Sequence, residues 1–440
     1  MPSPAAPTGS AVTAPAPPAP RFPATPPAAL RVTVVQDGAR LHYAAPLGLH
    51  RAGALRWMYT DWFVRRGTIG RLARWVARRA PLGPLGGPVE RAMERQCDGL
   101  PPNRVRTNPL LALAARRFAA RAPSAEAAWA ATSRMTGDWI GRRGFGGANA
   151  LFGFVRNLDP RLCAAARAAG LLTVADQMIA PAAVEAAEAD RQRDRWPGWD
   201  PAAHRSDLAL VADLERRTWA HLDRVTCGSD YVRRGLESQG VPPERILTVP
   251  YPIDAARYHV IARRGRPGPV VVGFVGTVGL RKGAGYFGAV ARRLLRPSIR
   301  FVMVGPVHLS DAAARSFAGA AELVGGVPRS AIAGWLDRFD LFLFPSTCEG
   351  SAGAAMEAMA CGLPVVTSPN SGSIVRHGVD GFVVPHDDVD GLTACIDRLA
   401  GDASLRLAMG AEARRAAEAA TVDRYGRQLA EAMVAARPQA

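Results

Sequence analysis

From residue 269 onward the chain repeats one pattern six times. A continuous apolar, β-branched run bounded by Gly or Pro is followed by a helical segment rich in Ala, Arg and Leu. The runs cover 269–278, 299–306, 322–327, 341–346, 364–368 and 381–385. A strand with one face in water alternates apolar and polar residues, whereas a run apolar at nearly every position is buried on both faces. That is the condition of a parallel strand covered by helices on both sides. The pattern predicts an α/β fold built on a doubly wound sheet.

The N-terminal half has the same ingredients at lower density. Strands are expected at 30–36, 171–175, 224–227 and 246–249, with helices at 183–194 and 207–221 between them. With 440 residues the chain has material for two domains of ordinary size. The segment 251–268 contains Pro252 and the Gly/Pro-rich basic stretch 263–268, the composition of an interdomain connection. The expected division is a disordered Pro/Ala-rich arm over 1–29, a first domain over 30–250, the connection 251–268, a second domain over 269–425 and a terminal helix or tail over 426–440. Two doubly wound domains would turn the carboxyl ends of both sheets toward a shared cleft, where such sheets bind ligands.

Several classes are excluded. No run of about 18 uncharged apolar residues is present, so no membrane-spanning helix is expected. Residues 1–29 lack a basic start and a continuous apolar stretch, so they do not read as a secretory signal. The six cysteines are scattered, without metal-ligand or disulfide spacing. No metal site is expected, and a reduced, cytoplasmic setting is the simplest reading. The net charge of +17 points either to an anionic partner or to a compositional bias toward arginine. Among 55 basic residues a single one, Lys282, is lysine.

The richest stretch runs from Phe344 to Val366. A buried strand ends in a polar loop, and a helix-forming segment follows from about Ser351 to Cys361, stopped by Gly362 and Pro364. Ser351 is a candidate cap. The backbone N–H groups of Ala352, Gly353 and Ala354 would form an anion site at the helix start. Glu349 and Glu357 stand eight positions apart on either side of it. Two carboxylates beside a phosphate site suit a ligand with hydroxyl pairs on both sides of that phosphate, as in a nucleotide sugar. A second constellation, from Val272 to Gly283, runs a strand into a glycine-rich turn at Gly276 and Thr277. It then presents Arg281 and Lys282, fixed charges suited to a diphosphate leaving group.

These two stretches together resemble the retaining glycosyltransferases of family 4, with their Glu-x7-Glu motif and GT-B architecture of two facing Rossmann-like domains. The commonest form of the motif has Phe and Gly where this chain has Ser351 and Ala352. The family's diphosphate-binding lysine corresponds to Lys282. Its arginine falls at Thr277, so Arg281 is read as the substitute. Val304-Gly305-Pro306 and the segment from Gly325 through Val327 to Arg329 resemble the loops that hold the base, and Ser368–Ser373 a loop near the transferred sugar. Cys227–Leu236 and Val249–Asp254 resemble the segments leading into the linker, with Pro252 where a glycine is usual.

The resemblance implies transfer of a hexose from a UDP- or GDP-type nucleotide diphosphate sugar, with retention and without a metal. Glu349, Arg281 and Lys282 are expected at the reaction centre. Glu357, Ser351, Ala352, Gly353, Ala354, Gly276, Thr277, Val327 and Arg329 are expected around the nucleotide. The acceptor stays open between a polysaccharide, a lipid carrier and a small molecule. A nucleotide-sugar epimerase or hydrolase on the same fold is the first alternative, and a basic nucleic-acid-binding protein the less favoured second.

The acceptor side is less legible. His42 and His50 both follow the first strand, and either one is a candidate polar group of the cleft or a surface residue; 149–159 is a further loop candidate. The segment 62–80 sets Trp62, Ile69, Leu72, Trp75 and Val76 among arginines, the pattern of a basic amphipathic helix lying on an anionic bilayer or of a core helix with a solvated face. Peripheral contact at the inner face of the membrane is the most it implies. No nucleic-acid partner is expected, because neither a recognition module nor aromatic platforms accompany the charge.

Overall fold

A computed structural model describes residues 30–64, 95–201, 207–260 and 268–435. The 1–29 arm, most of 62–80, residues 261–267 of the connection and 436–440 of the tail lie outside the described residues.

The first sheet is seven-stranded and parallel. Its strands are β1 (Val32–Val35), β2 (Leu55–Thr60), β3 (Val105–Thr107), β4 (Ala150–Phe154), β5 (Leu172–Gln177), β6 (Arg224–Cys227) and β7 (Ile246–Thr248), ordered β3-β2-β1-β4-β5-β6-β7. The second is six-stranded and parallel: β8 (Val270–Val275), β9 (Ile299–Val304), β10 (Glu322–Gly325), β11 (Leu341–Phe344), β12 (Val365–Thr367) and β13 (Gly381–Val383), ordered β10-β9-β8-β11-β12-β13. Each of the six apolar runs contains one of these strands. Counted within its own sheet, each domain reads 3-2-1-4-5-6, the Rossmann order, and the first adds a seventh strand. Strand order reverses between β1 and β4 and between β8 and β11, which opens a crevice at the carboxyl ends of those strands.

Three strands of the first sheet differ from expectation. The stretch 149–159, expected as a loop, is the fully buried β4 followed by a 3₁₀ turn over Val155–Asn157. β2 and β3 were not expected, because Arg56 and Trp57 interrupt the apolar pattern of one and the other is three residues long at the sheet edge. The segment after β1, with His50, is the helix Ala44–Arg51.

Two of the connections between the domains lie away from the crevice. The last helix, Val422–Ala435, returns to the first sheet, where Tyr425, Leu429 and Met433 share a core with Val34, Leu49 and Phe152. The helix Ala182–Arg195 of the first domain ends against the second. Trp196 stands edge-on to Tyr286 at 5.6 Å, and the Trp199 carbonyl accepts the Ser310 N–H at 2.8 Å.

Candidate active site

The crevice of the second sheet is built by the turns after β8 and β11. Gly283 ends the first turn at φ 78°, and a Cβ there would lie 1.9 Å from the Pro345 carbonyl oxygen, so only glycine allows the two turns to touch. The Arg281 carbonyl accepts from the Thr347 N–H at 2.9 Å and from the Ser346 and Thr347 hydroxyls at 3.0 Å each. This fixed backbone aims both basic side chains at one point. Arg281 Nη1 lies 3.0 Å and Lys282 Nζ 2.7 Å from the same oxygen, Oε1 of Glu349. Arg281 also donates to the Cys348 carbonyl at 2.9 Å, and the Lys282 ammonium sits 5.0 Å above the centre of the Phe344 ring. Gly276 and Thr277 lie in the same turn, and the Gly276 N–H bonds to the Val304 carbonyl at 2.9 Å.

The Glu349 loop is held from three sides. The Glu349 N–H donates to the Asn370 carbonyl at 3.0 Å, and Asn370 Nδ2 returns a bond to the Thr347 carbonyl at 2.8 Å. Across the cleft Ser229 Oγ donates to the Gly350 carbonyl at 2.5 Å. A Cβ on Gly350 would stand 1.6 Å from the Met178 carbonyl oxygen, so the first domain abuts this loop directly.

The helix after the loop spans Gly353–Ala360, a shorter span than the sequence suggested. Ser351 does not cap it. Ala352 occupies the cap position, and Ser351 Oγ is buried without a hydrogen-bond partner. The Ala352 N–H is spent on the Ser371 carbonyl at 3.0 Å, which removes it from the expected anion site. Gly353 and Ala354 open the helix, where N–H groups have no intrahelical acceptor.

Glu357, one turn further on, faces a different set of groups. Its Oε1 lies 3.6 Å from Arg329 Nη2, and its carboxyl hydrogen-bonds with Tyr258. Burial holds its pKa above the ordinary glutamate value despite both partners. Arg329 and Val327 lie beyond β10, in a loop joined to the one after β9 by the Gly305 N–H to Gly325 carbonyl bond of 2.9 Å.

The first domain brings His42 to this point. Arg329 Nη2 also lies 2.7 Å from His42 Nε2. Because the guanidinium can only donate, His42 Nε2 is the acceptor and carries no proton in this arrangement. Partial desolvation and the facing charges of Arg329 and Arg257 lower the His42 pKa below 6.5, opposed by Asp254. Leu41, His42 and Tyr43 have φ of 46°, 51° and 63°, and no other non-glycine residue among those described has positive φ. Each costs roughly 1–2 kcal/mol. The sequence left His42 and His50 equivalent; His50 lies on the helix after β1, under the charges of Arg51 and Arg104. Two groups escaped the sequence reading altogether. Tyr258 sits in the connection, where nothing in its neighbours marks it. Asp37, just past β1, has its pKa pushed up to about 7 by burial and by Asp61, and its Oδ1 is buried without a partner.

Residues 269–402 match the family Glycosyl transferases group 1. The amylovoran biosynthesis glycosyltransferase AmsK of Erwinia amylovora is 30% identical over 179 residues, covering 37% of this chain and 44% of that protein. A colanic acid biosynthesis glycosyltransferase, WcaL of Salmonella typhimurium, named as putative, is 29% identical over 189 residues, covering 38% of this chain and 45% of that one. The chain thus matches under half the length of these relatives. The structure of Anabaena HepE in complex with UDP-glucose superposes with a TM-score of 0.58 at 15% identity, over 92% of this chain and all of that one. WaaG, a glycosyltransferase involved in lipopolysaccharide biosynthesis, gives 0.56 at 15% identity, over 91% and 98%. The fold is GT-B.

Proposed function

We propose that this chain is a retaining hexosyltransferase of the family 4 type, which moves a sugar from a nucleotide diphosphate sugar onto a polysaccharide, lipid-carried or small-molecule acceptor. One observation carries the reading: Arg281 and Lys282 converge on a single oxygen of Glu349 at the point where strand order reverses. Two cations on one fixed turn are a receptor for a diphosphate, whose charge rises as the glycosidic bond to it breaks. A bound diphosphate takes over these donors, and the Glu349 carboxylate is then available to the hydroxyls of the transferred sugar.

Glu357 takes the ribose hydroxyls in this scheme, with Tyr258 and Arg329 holding its carboxylate in place. Thr277, Gly276 and the first N–H groups of the Gly353–Ala360 helix line the phosphates, and Val327 and Arg329 border the base. Ser351 contributes by packing, since it does not cap the helix. The match of 269–402 to Glycosyl transferases group 1 and the likeness to a UDP-glucose complex support a nucleotide-sugar donor. We place the reaction in the cytoplasm at the inner face of the membrane; among the described residues no helix is long and apolar enough to cross it.

The protein's own cations make a metal dispensable in this scheme, so transfer should persist in excess chelator. Lys282→Ala should lower the rate about a hundredfold or more, the usual effect of removing one charge-stabilising donor. The test is a panel of UDP- and GDP-sugars with candidate acceptors, read by nucleotide release. Acceptor-dependent release supports the reading. Equally fast release or epimerisation without acceptor contradicts it, as does a normal rate in Lys282→Ala.

A further inference from the structure

The described residues expose seven large apolar side chains, and three of them lie on one helix, Pro109–Ala119: Leu110 at 78%, Leu113 at 49% and Phe118 at 45% exposed. A helix in water turns such residues inward. Here Leu111 alone is buried and holds the helix to the domain. The Asn108 side chain caps it by accepting the Leu111 N–H at 3.2 Å. At 3.6 residues per turn Leu110, Leu113 and Arg117 share the outer side, flanked by Phe118.

Charge accompanies the apolar groups. From Gly99 to Ala125 the chain holds Arg104, Arg106, Arg116, Arg117 and Arg121 and no acidic residue. Arg116, Arg117 and Arg121 are exposed. The helix leaves β3 directly, and the last pair of the β2–β3 ladder joins Thr60 to Thr107. Trp62, 40% exposed, therefore emerges from the adjacent strand end. All strands of this sheet are parallel, so Trp62 and the start of this helix follow the same carboxyl end of the sheet as His42. The sequence assigned membrane contact to 62–80, which from residue 65 lies outside the described residues; this helix is a separate element.

We propose that the Pro109–Ala119 helix is a docking surface for an anionic lipid bilayer, with Leu110, Leu113 and Phe118 entering the headgroup boundary and Arg116, Arg117 and Arg121 pairing with lipid phosphates. Exposed apolar side chains beside three exposed arginines, in a stretch from Gly99 to Ala125 that holds no acidic residue, complement an anionic interface on both counts. The surface sets the cleft mouth at the bilayer and selects a lipid-carried acceptor over a soluble one. That last step alone rests on the proposed transferase activity.

The test is sedimentation of the full chain with phosphatidylcholine vesicles, with and without phosphatidylglycerol. The full chain should bind the anionic vesicles and be released by salt. The triple variants Leu110→Ser/Leu113→Ser/Phe118→Ser and Arg116→Gln/Arg117→Gln/Arg121→Gln should each weaken binding by about tenfold or more. The arginine variant should leave the thermal midpoint unchanged, and the apolar one, whose Leu113 and Phe118 are half-buried, should lower it only slightly while remaining folded. Failure to bind anionic vesicles overturns the proposal, as does equal binding to pure phosphatidylcholine. Unchanged binding by the apolar triple variant overturns it too, because another segment then carries the contact. A dimer that the same variant dissolves, with vesicle binding intact, assigns the surface to a second copy instead. None of these readouts depends on sugar transfer.

Discussion

Arg329 joins the two domains across the cleft, with one guanidinium nitrogen 2.7 Å from His42 Nε2 on the first and 3.6 Å from Glu357 Oε1 on the second. The contact requires an unprotonated His42, and the lowered His42 pKa is consistent with that state at neutral pH. The unfolded chain takes up a proton near 6.5 and the native chain does so lower, so this residue's contribution is intact above that value and is lost as the pH falls through the native pKa. His42→Gln keeps an acceptor but cannot titrate. Its thermal midpoint should fall less than that of the parent chain on acidification. Because the ring is exposed, the coupling to Arg329→Ala in a double-mutant cycle should be below about 1 kcal/mol. Identical acid profiles for the parent chain and His42→Gln would remove the cross-cleft role.

Asp176 should produce the opposite pH trend. It is buried in β5, where the Thr226 hydroxyl donates to it at 2.7 Å and the Tyr251 hydroxyl donates to its other oxygen. Burial pushes its pKa from 3.8 up to about 7 against both donors. The native chain holds this proton where the unfolded chain has released it, so the contribution is largest in acid and declines up to about pH 7. Asp176→Asn removes that slope. Urea unfolding at about pH 5 and about pH 8 should show a smaller difference in the variant, on the order of a few kcal/mol smaller. Asp37 has the same sign, so some slope remains. An unchanged slope would contradict the placement of the charge.

Gly350 and Gly353 lie three residues apart and should respond differently to alanine. A Cβ on Gly350 meets the Met178 carbonyl at 1.6 Å, and one on Gly353 meets nothing within 4 Å. Gly350→Ala should cost about 1–3 kcal/mol or more in denaturant unfolding, because backbone must move. Gly353→Ala should be neutral or slightly stabilising. Equal effects would mean that the domains do not meet at this loop.

The second sheet was legible in the sequence because its strands are buried on both faces and read as unbroken apolar runs. β2 was not, since LRWMYT carries a half-buried Arg56 whose guanidinium finds the Gly146 carbonyl at 2.9 Å. A tertiary contact of that kind leaves no periodic trace. The carboxylates and cations of the site were legible as motif positions. The failed cap at Ser351 was not, because the helix starts only at Gly353 with Ala352 at the cap position, and the motif does not show where the first turn closes. His42 was separable from His50 only once the positive-φ turn had placed it opposite Arg329.

The central claim is that Arg281 and Lys282 form a diphosphate receptor. Calorimetric titration of UDP, GDP, ADP and TDP into the full chain and into Lys282→Ala tests it most directly. One nucleoside diphosphate should bind at one per chain, and Lys282→Ala should weaken it about tenfold or more. Binding of none of the four, or equal affinity in the variant, would contradict the claim.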